Sequence, residues 1–128
     1  MSRPPRVGDV FSTVFPIHDP AGHEQEGMRP AVVLGNLYAL GVPRYDMVLI
    51  APMTTFRGQD WALESPRLYP VITRNAGTVK LPADGVVLLD QVCSLGTERL
   101  ARYIGSLTTA QLRPLQEALR DVFELRLP

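Results

Sequence analysis

The chain has 128 residues, 45% of them hydrophobic and 20% charged, with 13 basic side chains against 13 acidic ones and a formal net charge of zero. That length and balance suit one globular domain over 1–128 with its core at about 7–124, and they exclude a disordered or collagen-like bulk. The absence of net positive charge excludes a nonspecific nucleic-acid coat protein and leaves room for a local phosphate site.

"VGDVFSTVF", Val7 to Phe15, alternates apolar with polar or small residues and predicts the first strand. Pro16 to Gly27 is a long polar loop. "RPAVVLGN" follows as a short β-branched run, with Pro30 tolerated only near a strand start or on an edge. "YDMVLIAPM", Tyr45 to Met53, is almost continuously apolar and predicts a central strand buried on both faces. Thr54 to Arg67 shows no periodicity and reads as a loop; loops of that length in a compact domain are usually functional or mobile. "LYPVIT" and "GVVLLDQVCSL" read as two further strands joined by "RNAGTVKLPAD", and "LARYIGSL", Leu100 to Leu107, as another, preceded by a helical turn at Thr97 to Arg99. The last segment predicts a helix, because Leu112, Leu115, Leu119 and Val122 recur at spacings of three and four. Thr108 with Gln111 makes a capping box and Leu107 with Leu112 a hydrophobic staple. Pro114 sits too deep for a first-turn proline, which predicts either a kinked first turn or a start nearer Arg113.

Strands followed by one amphipathic helix predict a mainly β fold with a C-terminal α-helix, as a small barrel or strongly bent sheet. There is no βαβ alternation, P-loop or dinucleotide fingerprint. No apolar run approaches the roughly 20 residues that cross a bilayer, and "MSRPPRVGDV" has no hydrophobic segment behind its arginines. The expected location is cytoplasmic, without a membrane partner. The one cysteine, Cys93, fits a reducing compartment, and its apolar flanks predict a buried, inert thiol.

"HDPAGHEQEGMRPAVVL", residues 18 to 34, contains both histidines. His18, Asp19, His23, Glu24 and Glu26 are metal-ligand types, but their spacing matches neither a helical zincin nor a calcium loop, so no metal or other cofactor is expected. His23 beside Glu24 suits proton transfer near neutrality, although a turn histidine is more often merely solvated. Arg29 precedes Pro30, which biases it toward extended backbone at a strand end, where a side chain projects with precision; a surface ion pair is the plainer role.

Taken in order, "GDV", "HEQEGMRPAVVL", "VLIAPMTT", "VVLLDQV" and "IGSLT" before a terminal helix resemble the PemK/MazF family of toxin endoribonucleases over about Val7 to Phe123. The resemblance implies an SH3-like small β-barrel of the PemK/MazF/CcdB type, a homodimer with RNA grooves at its interface, and a cognate antitoxin that blocks them. It also implies sequence-selective, metal-independent cutting of single-stranded RNA, with 2′-OH attack leaving a 2′,3′-cyclic phosphate and a 5′-OH end. The family's "RP" arginine falls on Arg29 and its strand-ending hydroxyl on Thr54, the implied catalytic pair. Its "EQ-x-G" loop falls on Glu24, Gln25 and Gly27 and its "DQ" on Asp90 and Gln91, the implied RNA-binding groups, to which Arg57 is added. For an RNA enzyme, Phe56, Arg57 and Trp61 in the segment after Thr54 suit stacking on splayed bases, covering the barrel or receiving the antitoxin, and a gate or specificity loop is the preferred reading.

Because a guanidinium stays protonated, Arg29 is expected to stabilise charge rather than donate a proton, which leaves His23 or Glu24 to transfer protons. "AGHEQ" resembles the PemK/Kid branch, but that branch's arginine two residues before Asp90 is replaced by Leu88. The competing expectations are a noncatalytic, CcdB-like gyrase-poisoning toxin on the same barrel and, from the histidines alone, a divergent metal hydrolase.

Overall fold

The computed structural model describes residues 4–18, 20 and 22–125. Its elements are β1 (Asp9–Phe15), β2 (Gly27–Gly35), β3 (Met47–Thr55), α1 (Asp60–Glu64), β4 (Val71–Ile72), β5 (Gly85–Val87), β6 (Cys93–Gly96), β7 (Leu100–Ser106) and α2 (Thr109–Val122). The strands form one antiparallel sheet in the order β4-β5-β3-β2-β1-β7, with β6 also paired to β3.

β3 organises the sheet because its first and second halves serve different neighbours. Met47 to Ile50 pair with β6, whereas Met53 to Thr55 pair with β5. The apolar run expected as one strand over 85–95 is therefore two strands. Between the pairs Thr55–Gly85 and Ile50–Cys93 the partner side carries three more residues than β3, and a 3-10 turn at Leu89–Gln91 absorbs them. Leu88 and Leu89 are buried up to this turn, and its polar part is only Asp90 and Gln91, so the pattern of hydrophobicity marks it weakly.

Both faces of the central strands are covered, which explains their near-continuous apolar character. One face carries Val10, Val32, Ala51 and Met53 against Leu115 and Ala118 of α2. The other carries Phe11, Ala31, Val33 and Ile50, closed over by Leu95 and Leu100 as the sheet curls. Each such fully buried aliphatic or aromatic side chain contributes about 1.5–3 kcal/mol. The outcome is a curled half-barrel with a C-terminal helix, as expected from the strand and helix order.

α2 begins where the capping box places it. Gln111 N–H donates to Thr108 Oγ1 at 3.2 Å, and Thr108 N–H to Gln111 Oε1 at 2.8 Å. Pro114 lies inside the helix, so neither a later start nor an early break is needed. Its missing N–H would have served the Ala110 carbonyl, and both residues are exposed, so water can take that role. The Thr54–Arg67 segment, expected as a loop, contains α1, whose Ala62 packs with Val86, Leu88, Phe56 and Tyr69. Among the described residues no helix is long and apolar enough to cross a membrane.

Candidate active site

β2 and β3 run paired as far as Ala31 and Pro52, then separate. Pro30 offers no N–H to extend the ladder; β2 stays on β1, where Arg29 faces Thr13, while β3 turns to β5, where Thr54 faces Val86. Continuing the lost register by two residues would bring Arg29 opposite Thr54. The gap is instead a cavity of about 410 Å³ lined by Arg29, Thr54, Arg57, Gln59 and Asp84, among others.

Each cation in that cavity is held by its own backbone surroundings. Arg29 Nε donates to the Glu26 carbonyl at 3.1 Å, which sets the plane of the guanidinium. Its terminal nitrogens make no hydrogen bond among the described residues. Arg57 sits on a tight turn completed by Gly58 at φ +71°. Gln59 staples that turn: its Oε1 accepts the Arg57 N–H at 2.7 Å and its Nε2 donates to the Thr55 carbonyl at 2.9 Å. One anchored guanidinium, a second arginine on a stapled turn and a hydroxyl lining one cavity suit a phosphoryl group that gains negative charge.

Thr54 and Gln59 also border a second compartment of about 260 Å³, with Gln25, Trp61, Tyr69 and Asp90 in its wall. Here Tyr69 O–H donates to Asp90 Oδ2 at 2.8 Å, and Trp61 meets the Tyr69 ring edge-on at 4.8 Å. The hydrogen bond to Asp90, with burial and the carboxylate charge adding to it, pushes the Tyr69 phenol above its ordinary range. Gln25 presents a buried Oε1 without a partner among the described residues. Gln25, Asp90 and Gln91 in turn border a third compartment of about 400 Å³ that includes His18, Glu24 and Cys93. The three compartments thus share walls and follow one another along the sheet.

The expected site residues fall unevenly along this series. Arg29, Thr54 and Arg57 meet in the first compartment, Gln25, Asp90 and Gln91 in the second, and Glu24 in the third. His23 is exposed and does not line the cavity shared by Arg29 and Thr54; its carbonyl accepts from Gln91 Nε2 at 3.1 Å. Among the described residues no three of His, Cys, Asp and Glu gather as metal ligands, and Asp19 lies outside them. Phe56, considered for RNA stacking, packs into the small core beneath α1, while Trp61 stays 42% exposed. Cys93 is half-buried, and that burial pushes its thiol upward.

Three contributors went unseen in the sequence: Gln59, Tyr69 and Asp84. Glycine two residues after Arg57's predecessor, in "FRGQ", signalled a turn but not its staple. Tyr69 reaches Asp90 across 21 positions and Asp84 enters through strand pairing, neither of which periodicity encodes.

Residues 6–123 match the family model described as the PemK-like, MazF-like toxin of type II toxin–antitoxin systems. A relative from Mycobacterium tuberculosis, endoribonuclease MazF9, is 33% identical over 120 residues, covering 90% of this chain and 92% of that protein. The crystal structure of MazF from Deinococcus radiodurans superposes with a TM-score of 0.69 at 25% identity, over 94% of this chain and 96% of that one. A MazE–MazF structure from the same organism matches with a TM-score of 0.63 at 26% identity, over 95% and 97%.

Proposed function

The chain belongs to the PemK-like, MazF-like toxins of type II toxin–antitoxin systems, a family of endoribonucleases, and from that premise we propose that it cuts single-stranded RNA at selected sequences without a metal. The observation that carries this reading is the meeting of Arg29 and Thr54, with Arg57, around one open cavity.

RNA contains its own nucleophile. As the 2′-oxygen closes on the adjacent phosphorus, negative charge accumulates on the phosphoryl oxygens and the 5′-oxygen departs. Arg29, held by the Glu26 carbonyl, offers a planar fork to those oxygens, and Thr54 offers a hydroxyl. One preorganised donor of this kind lowers the barrier by about 3 kcal/mol. The products are a 2′,3′-cyclic phosphate and a 5′-OH. Arg57 provides a second cation for the same phosphate or its neighbour, and the compartment bearing Trp61, Tyr69, Asp90, Gln25 and Gln91 takes a flanking base.

In this reading the enzyme works as a homodimer in the cytoplasm, and a cognate antitoxin occludes the compartments; the match to a MazE–MazF structure supports a protein partner. Incubation of the protein with a long single-stranded RNA tests the chemistry. Cleavage that survives EDTA and leaves ends that polynucleotide kinase labels directly supports it; EDTA-abolished cleavage, or 5′-phosphate ends, refutes it. Intact RNA with stalled gyrase would instead favour a CcdB-like toxin.

A further inference from the structure

The reaction needs a group to remove the 2′-OH proton, and the cationic residues of the first compartment do not supply one. Guanidiniums remain protonated, and a neutral threonine hydroxyl is a poor base. We propose that Asp84, resting on the endoribonuclease reading above, is the general base.

Among the described residues Asp84 is the one acidic residue that lines the cavity with Arg29, Thr54 and Arg57. It stands immediately before β5, and its carbonyl accepts the Phe56 N–H at 2.8 Å, extending the Thr55–Gly85 pairing by one step. Its Oδ1 accepts the Arg74 N–H at 2.9 Å. Backbone and side chain are therefore both fixed, while the carboxylate retains a second oxygen for substrate. The charged residues around it are Arg29 from β2, Arg57 from the turn after β3 and Arg74 from the connection between β4 and β5. His23 and Glu24, the groups that sequence reasoning offered for proton transfer, do not line this cavity.

The step balances without an external reagent other than water. Asp84 takes the 2′-OH proton as the bond from the 2′-oxygen to phosphorus forms and the bond from phosphorus to the 5′-oxygen breaks. Water protonates the departing oxygen, and the hydroxide so formed recovers the proton from Asp84. The carboxylate is restored for the next turnover.

Asp84→Asn separates this role from a structural one, because an asparagine Oδ1 still accepts the Arg74 N–H. Three quantities are measured on a short single-stranded RNA: kcat across pH, affinity for the 2′-deoxy analogue that cannot react, and the melting temperature. The expected result is a fall in kcat of about 100-fold or more, with analogue affinity and melting temperature retained and the acid-side decline of kcat lost. Wild-type kcat and pH profile in Asp84→Asn would overturn the proposal, while inactivity of Arg29→Ala beside it would leave the nuclease reading standing. If the pH profile changes in His23→Ala and not in Asp84→Asn, the histidine is the base and the proposal fails. A folded wild-type protein that cuts no RNA overturns the nuclease reading and this inference together.

Discussion

Gln91 grips the backbone on either side of Glu24: its Oε1 accepts the Gln25 N–H at 2.8 Å, and its Nε2 donates to the His23 carbonyl at 3.1 Å. One side chain from the 3-10 turn between β5 and β6 thereby fixes the end of the long loop before β2. The same loop provides the Glu26 carbonyl that orients Arg29. Gln91 is thus linked to the Arg29 guanidinium through the backbone of one loop.

Gln91→Ala removes both bonds, each worth about 1 kcal/mol net. The expected outcome is a stability loss of roughly 1–2 kcal/mol, faster hydrogen exchange at Gln25 and a reduced kcat. Exchange at Gln25 that matches the wild type would show that the loop is held by something else.

Thr54→Val keeps the shape of the side chain and deletes its hydroxyl. If Thr54 donates to the phosphoryl oxygens, kcat falls about 100- to 1,000-fold while the melting temperature stays near that of the wild type. Arg29→Lys retains the charge but loses the planar fork and the Nε bond to Glu26, so it is also expected to cut poorly. A lysine variant with full activity would mean that charge alone suffices at this position.

The pairing of Arg29 with Thr54 came from the resemblance to the PemK/MazF family, whose motifs fall on both; local rules place each residue but do not join them. Arg29 precedes a strand proline, and Thr54 ends an apolar run; only their convergence needed coordinates. The helix was readable from the capping box and the leucine spacing, while Pro114 left its start open between Thr108 and Arg113 until the structure placed it at Thr109. The strand over 85–95 was not, because the 3-10 turn that divides it buries Leu89 and breaks the apolar pattern only at Asp90 and Gln91, too brief an interruption to announce two strands. The loop after Thr54 misled in a different way. α1 is a five-residue helix, too short for a periodic signal, and it is held by the packing of Ala62 rather than by propensity.

Tyr69 and Asp90 make a pH-dependent pair. The carboxylate holds the phenol above its ordinary value, chiefly through the hydrogen bond, so the neutral phenol is favoured more in the folded chain than in the unfolded one. The stability from this bond is fully present below the unfolded phenol pKa of about 10. It is lost as pH rises through the higher folded value. In Asp90→Asn the Tyr69 phenol should titrate earlier in a phenolate absorbance titration, while Tyr38, raised by its own bond to Asp46, remains late and serves as an internal control. An unchanged titration in Asp90→Asn would remove the pair from the account of the second compartment.

Gly105 tests the curl of the sheet. It pairs with Val10 at a point where the β1–β7 register shifts, and its φ of +139° lies outside the range that L side chains favour. A Cβ there would stand 2.5 Å from the Thr78 carbonyl oxygen and 2.6 Å from Val79 N, and neither is a flexible side-chain end that can move aside. Lys80 N–H donates to the Ile104 carbonyl at 3.1 Å, so the 78–80 segment is fastened to β7 and its backbone resists displacement. Gly105→Ala is therefore expected to cost roughly 2–4 kcal/mol from overpacking and backbone strain together, read as a drop in melting temperature of roughly 10 °C. Because Gly105 lines none of the compartment that holds Arg29 and Thr54, the folded fraction should cut RNA at the wild-type rate. A variant that melts like the wild type would mean that β7 and the Val79 segment can separate without loss, and that the close approach at Gly105 does not maintain the curl.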